Sequence, residues 1–198
     1  PKKDQLLKEE ADIYIINPEG LEWLTQAKKI KTIKNKTKVE IDPRRWKALG
    51  FDLLVIDELS KFKNHSATRF KIMKLILHTF FRRWGLTGSP AANGLIDLFG
   101  QCYMLDRGAA LGEYITHYRS RFFFNPDQRG FVWLPTKTGE QEIHQRLAPL
   151  VLRMSAEDHL DLPELIENNI RVELPAKMYK MYDQLEEDLI TKIKGKKI

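Results

Sequence analysis

The feature that most constrains this chain is a near-continuous apolar run at residues 51–56, Phe51-Asp52-Leu53-Leu54-Val55-Ile56, which ends abruptly in two carboxylates, Asp57-Glu58. A short run rich in Leu, Val and Ile reads as a strand of a parallel sheet covered on both faces. In an open parallel sheet, ligands collect outside the carboxyl ends of the strands. The run therefore places Asp57 and Glu58 at a ligand-facing edge. Adjacent carboxylates there can divide labour. Asp57 can hold Mg²⁺ through water, because Mg²⁺ dehydrates reluctantly. Glu58 can orient and polarise a water for phosphoryl transfer. The same pair would also serve as plain negative charge ahead of a following helix, so it does not decide the matter alone.

The flanking pattern extends the sheet. Ile13-Tyr14-Ile15-Ile16 reads as a buried strand, and Asn17-Pro18 then opens a helix over about 18–28. Lysine-rich residues 28–38 read as an exposed connection, and Asp42-Pro43 repeats the capping signal before a short helix to Leu49. Phe70, Met73, Leu77 and Phe80 share one face of a helix over about 67–80. Arg83-Trp84-Gly85-Leu86 is the next strand, ending in Thr87-Gly88-Ser89-Pro90, where Gly88 permits a tight turn and Ser89-Pro90 can start a helix. Leu95, Leu98, Phe99 and Cys102 mark that helix. Residues 13–105 thus alternate strand and helix, the pattern of a doubly wound α/β sheet. Residues 106–168 read as a mainly helical appendage, and 169–198 as a strand, 170–174, plus a helix opened by Pro175.

Taken together, Asp57-Glu58-Leu59-Ser60-Lys61-Phe62-Lys63-Asn64 and Leu86-Thr87-Gly88-Ser89-Pro90-Ala91-Ala92-Asn93-Gly94-Leu95 resemble motifs II and III of the Swi/Snf-type superfamily 2 helicase-like ATPases, in the bacterial and phage layout. Ile15-Ile16-Asn17-Pro18-Glu19-Gly20-Leu21 resembles motif Ib, and Leu147 to Arg153 with Asp161-Leu162-Pro163-Glu164 resembles the segment that ends the first lobe. The order and spacing of these motifs cover roughly residues 12–190. Three positions depart from the family pattern: Ser60 stands for its His, Ser89 for its Thr and Asn17 for its Thr or Ser.

The resemblance implies part of a RecA-like (P-loop NTPase) lobe: 1–105 as the lobe's later portion, 106–168 as an appendage, 169–198 closing the lobe. It implies ATP and Mg²⁺ as cofactors, with Asp57 on the metal, Glu58 activating water, and Thr87, Gly88 and Ser89 coupling the nucleotide site to lobe movement. It implies double-stranded DNA and a second RecA-like lobe as partners. Asn17, Lys63 and Asn64 would lie on the nucleic-acid side. No GxxxxGK[ST] loop is present; Gly195-Lys196-Lys197 lacks both the spacing and the hydroxyl. The chain is therefore expected to be a piece of a longer translocase, with the phosphate loop before Pro1 and the arginine-bearing lobe after Ile198, and to be inactive alone.

Composition narrows the alternatives. The chain has 198 residues, 42% hydrophobic and 30% charged, with no run long enough to span a bilayer. A single cysteine, Cys102, excludes an internal disulfide and a cysteine zinc site and fits an intracellular setting, cytoplasmic or nucleoid, or host cytoplasm for a phage protein. A net charge of +6 permits a polyanionic partner. Lys28, Lys29, Lys31, Lys34, Lys36 and Lys38 can meet phosphates, or simply face water. Trp46 reads as core and Phe122-Phe123-Phe124 as core or an interlobe contact rather than stacking platforms, and Glu157, Asp158, His159 and Asp161 have poor spacing for a metal. Two other readings stay open: a nucleic-acid-binding module without hydrolysis, and a protein-interaction scaffold using the 122–124 region.

Overall fold

The structure, a computed structural model, describes residues 2–31, 37–127, 130, 132–154, 168–171, 173, 175 and 178–186. It divides into two compact units, 1–152 and 153–198. In the second, residues 178–186 are helical. The 170–174 strand expectation falls partly, and the 161–164 segment wholly, outside the described residues.

The first unit begins with α1 (Lys2–Leu6) and a 3-10 turn (Pro18–Gly20) that runs into α2 (Leu21–Thr25). A hairpin follows, β1 (Lys28–Lys31) antiparallel to β2 (Thr37–Glu40), then α3 (Pro43–Leu49). The site lies in the next stretch: β3 (Leu53–Ile56), α4 (Thr68–Ile76), β4 (Arg82–Gly85) and α5 (Leu98–Asp106). α6 (Ile115–Phe122) and α7 (Lys137–Leu147) complete the unit, joined by a short antiparallel ladder of β5 (Phe123–Phe124) and β6 (Leu134–Pro135). The fold is mixed α/β with small sheets. Among the described residues no helix is long and apolar enough to cross a membrane.

Several elements form for the reasons the sequence suggested. Asp42 caps α3 by accepting hydrogen bonds from the Arg44 and Arg45 amides (2.9 and 3.2 Å), Pro43 occupies the first turn, and Gly50 ends the helix in a left-handed conformation. Phe70, Met73, Leu77 and Phe80 are all buried. Trp46 is core, its ring against Phe51 and Phe80 and its indole N–H bonded to Thr79 Oγ1 (3.0 Å). Tyr118, Phe122 and Phe123 are buried together, and only Phe124 of the triple Phe is exposed. Burial pushes the Cys102 thiol up to about 12, so it acts as a small apolar core residue.

Three expectations are corrected. Residues 13–16 form no strand, and Ile13 and Ile15 are exposed, Ile15 at 94%. The segment has no ladder partner among the described residues, and an unpaired strand leaves its backbone groups to water. The lysine-rich 28–38 connection is instead largely a hairpin, whose register turns Val39 into the core while Lys29 pairs with Glu22 (3.0 Å). Ser89-Pro90 does not start a helix. Residues 90–93 form a turn, Gly94 adopts a φ of 95° that a helix does not admit, and α5 begins only at Leu98 after a 3-10 turn at Leu95–Asp97.

Candidate functional site

β3 and β4 are parallel neighbours, with Leu53 opposite Arg82 and Ile56 opposite Gly85. Their carboxyl ends therefore lie side by side. Beyond the strands the Leu86 amide bonds the Ile56 carbonyl (2.9 Å), and the Leu59 amide bonds the Leu86 carbonyl (2.7 Å). These bonds bring Asp57-Glu58 against Thr87.

Glu58 sits in the left-handed region, φ 57° and ψ 62°. A non-glycine residue there is uncommon and is held only when its surroundings over-determine it. Here they do. Asp57 Oδ1 accepts from the Glu58 amide (3.0 Å). Glu58 Oε1 accepts from the Ser60 hydroxyl (2.5 Å) and from the Thr87 hydroxyl (3.3 Å). One carboxylate oxygen is thus fixed by donors from both loops. Ser60, standing where the resembled family has His, makes its link towards the second loop through Glu58.

The remaining residues are distributed around this junction. Asp57 is exposed at the strand end. A solvent-facing carboxylate is the hard oxygen donor that a mostly hydrated Mg²⁺ takes. Among the described residues Asp57 is not part of any group of three or more metal-ligating side chains. Gly88 and Ser89 are exposed on the Thr87 loop. Gly88 has a φ outside the left-handed region, and a Cβ added to it would meet nothing within 4 Å. No described neighbour requires glycine there.

The nucleic-acid candidates are not gathered into one patch. Asn17 is exposed before the Pro18–Gly20 turn and makes no side-chain cap. Asn64 shapes the turn before α4 by accepting from the Ser66 amide (2.9 Å). Lys63 points its amine to Asp97 Oδ2 (3.3 Å). Lys34 and Lys36 lie outside the described residues. Arg45 is occupied inside the fold, bonded to the Leu24 carbonyl (3.2 Å) and Asp4 (2.9 Å) and stacked over Trp23.

Two residues that sequence reasoning passed over hold the loops. Asp97 accepts from Lys63 and from the Asn93 amide and side chain (3.3 and 3.0 Å). Gln101, only 2% exposed, donates through Nε2 to the Pro90 and Asp97 carbonyls. The signal was available: a lone amide inside the apolar stretch from Leu98 to Leu105, four residues after an acid.

Comparison with known proteins gives the family. Over 191 residues the chain is 30% identical to the putative protein p41 of Acyrthosiphon pisum secondary endosymbiont phage 1, covering 92% of this chain and 38% of that protein. Over 145 residues it is 30% identical to an uncharacterized ATP-dependent helicase of Mycoplasma genitalium, covering 73% of this chain and 13% of that protein. The chain thus spans well under half the length of either relative. No solved structure gives a significant match. Residues 2–198 match the SNF2-related domain, and the chain with its paired strand-end loops belongs to that helicase-like ATPase family.

Proposed function

We propose that this chain supplies the carboxylate half of the nucleotide-hydrolysis site in an ATP-driven translocase of double-stranded DNA. The observation that carries the reading is the Glu58 carboxylate, fixed at one oxygen by Ser60 and Thr87 at the adjoining ends of two parallel strands. With Oε1 occupied, Oε2 is the atom left to orient and polarise a water. Asp57, beside it, would hold Mg²⁺, which when bound with ATP supplies charge neutralisation at the phosphates. Thr87 joins the Glu58 carboxylate to the second loop, so a shift of that loop moves the catalytic oxygen. That is the coupling a translocase needs between its nucleotide site and its DNA-stepping lobes.

The fold is read as part of a RecA-like lobe. The outward side of the β3–β4 pair is exposed along Leu53, Val55, Trp84 and Leu86, with Trp84 at 56%. Parallel sheets are ordinarily covered on both faces, so a further layer from a longer polypeptide fits there. The phosphate-cradling loop, and an arginine worth about 10³–10⁵ in rate, would come from that polypeptide and its second lobe.

The test has two arms. In the longer polypeptide Glu58→Gln should abolish ATP turnover while ATP binding, followed by a fluorescent analogue, is retained; retained turnover refutes the role of Glu58. The 198 residues alone should show no DNA-stimulated ATPase. Salt-dependent DNA binding unaffected by Glu58→Gln, with no turnover in any form, would favour a binding module instead.

A further inference from the structure

We infer that Asp97 is a positioning residue, a latch that makes the Glu58 loop and the Thr87 loop move as one body. This rests on the reading of Glu58 above and adds a residue outside the motifs that suggested it. Asp97 lies in the 3-10 turn before α5, and its side chain is 15% exposed. Its Oδ2 gathers three donors: Lys63 Nζ (3.3 Å), the Asn93 amide (3.3 Å) and Asn93 Nδ2 (3.0 Å). Lys63 belongs to the loop that leaves β3, and Asn93 to the loop that leaves β4. One carboxylate oxygen therefore joins both loops.

Two further ties act at the same place. Gln101 Nε2 bridges the Pro90 and Asp97 carbonyls (2.5 and 3.0 Å), so the turn carrying Asp97 is fixed to the loop that follows Thr87. Gly100 lets α5 lie directly on the other loop: a Cβ there would collide with the Phe62 carbonyl and stand 2.7 Å from the Lys63 carbonyl. An exposed ion pair contributes little by itself. Lys63–Asp97 differs in that Asp97 is mostly buried and its accepting oxygen is shared with Asn93. The ammonium of Lys63 is thereby assigned to the latch rather than to DNA.

The consequence is kinetic. Loosening the latch should leave nucleotide binding in place and let Glu58 drift from its productive position, and a displacement of about 1 Å can cost about 10²-fold. In the full-length polypeptide, Asp97→Asn should lower kcat by about tenfold or more while KM for ATP stays within about twofold. Lys63→Met should do the same without changing the salt dependence of DNA binding. A wild-type kcat in Asp97→Asn, or a salt dependence weakened in Lys63→Met, overturns the inference.

Amide hydrogen exchange separates this from failure of the ATPase reading. The Leu59 and Leu86 amides bond across the junction. Both should exchange about tenfold faster in Asp97→Asn, whereas α4 amides keep the wild-type rate and report an intact fold. Faster exchange in a polypeptide that never turns over ATP supports the latch and sinks the hydrolysis reading; unchanged exchange sinks the latch whatever the activity.

Discussion

The two sides of the β3–β4 pair live in opposite surroundings. On the inward side Ile56 is buried, Gly85 packs against Leu59 and Leu105, and Arg83 donates to the carbonyls of Leu77, Phe80 and Leu105 (3.0, 3.0 and 2.7 Å). α5 packs on β4 from that side. On the outward side Leu53, Val55, Trp84 and Leu86 are exposed. The pleat alone sorts them, since alternate residues of a strand point to opposite faces. The difference teaches that the site rests on one packed layer, while Leu53, Val55 and Trp84 leave an apolar outer side interrupted by Arg82.

The largest expected effect tests that asymmetry directly. Ile56 is the buried inward residue of β3. Ile56→Ala should cost about 2–5 kcal/mol in chemical denaturation. Trp84→Lys on the outward side should cost under about 1 kcal/mol in the isolated chain, despite removing the larger side chain. Equal losses would break the comparison and mean that the outward side is already covered. In a longer polypeptide that supplies the second layer, Trp84→Lys should become as costly as the core change, which sharpens the comparison into a test of the lobe reading.

How much of this was legible follows the same division. The run at 51–56 and the junction at 86–90 could be read because their signals are local: an apolar stretch, then carboxylates or a Thr-Gly turn. Residues 13–16 carry the same kind of signal and yet stay unpaired, because a strand exists only with a partner, and none of the described residues supplies one. The β1–β2 hairpin was hidden by its lysines; what fixes it is the inward Val39 and the cross-strand register. The later start of α5 turns on Gly94 and its left-handed φ. At the site, Asp57, Glu58 and Thr87 were named from sequence and lie together. Asp97 and Gln101 were not, because their roles come from the closeness of two loops.

A smaller effect tests a purely local device against this tertiary one. Asp42 caps α3 through two backbone amides. Asp42→Ala should lower stability by about 1 kcal/mol. The loss should spread to Trp46, whose indole anchors α3 to Thr79, and be visible as a change in tryptophan fluorescence. It should not reach the Leu59 and Leu86 amides, because among the described residues α3 makes no hydrogen bond to the junction. Accelerated exchange there would show that the site's layer and the N-terminal helices are one cooperative body.

The smallest expected effect is a pH dependence at the edge of the latch. His65 follows Lys63 and Asn64, and its ring stands edge-on to Phe99 at 6.0 Å. Burial, and then the charges of Arg119 and Lys71, hold its pKa below the ordinary value of 6.5. The unfolded chain, with the ordinary value, takes up the proton first as pH falls. The His65 contribution to stability is therefore fully present above about pH 6.5 and declines as pH drops through the lowered folded value. Denaturation midpoints compared at about pH 7.5 and about pH 5.5 should show wild type losing stability that His65→Gln does not lose. Because the ring rests on the same helix that carries Gln101, that loss should appear first as faster exchange around Phe99 and the Lys63 loop, and only later on the α6–α7 side, where Glu142 stays ionised to lower pH because Arg121 and Arg146 hydrogen-bond it. Loss beginning at α7 would place the weak edge of the unit away from the junction and reverse the order of rigidity argued from the two sides of the sheet.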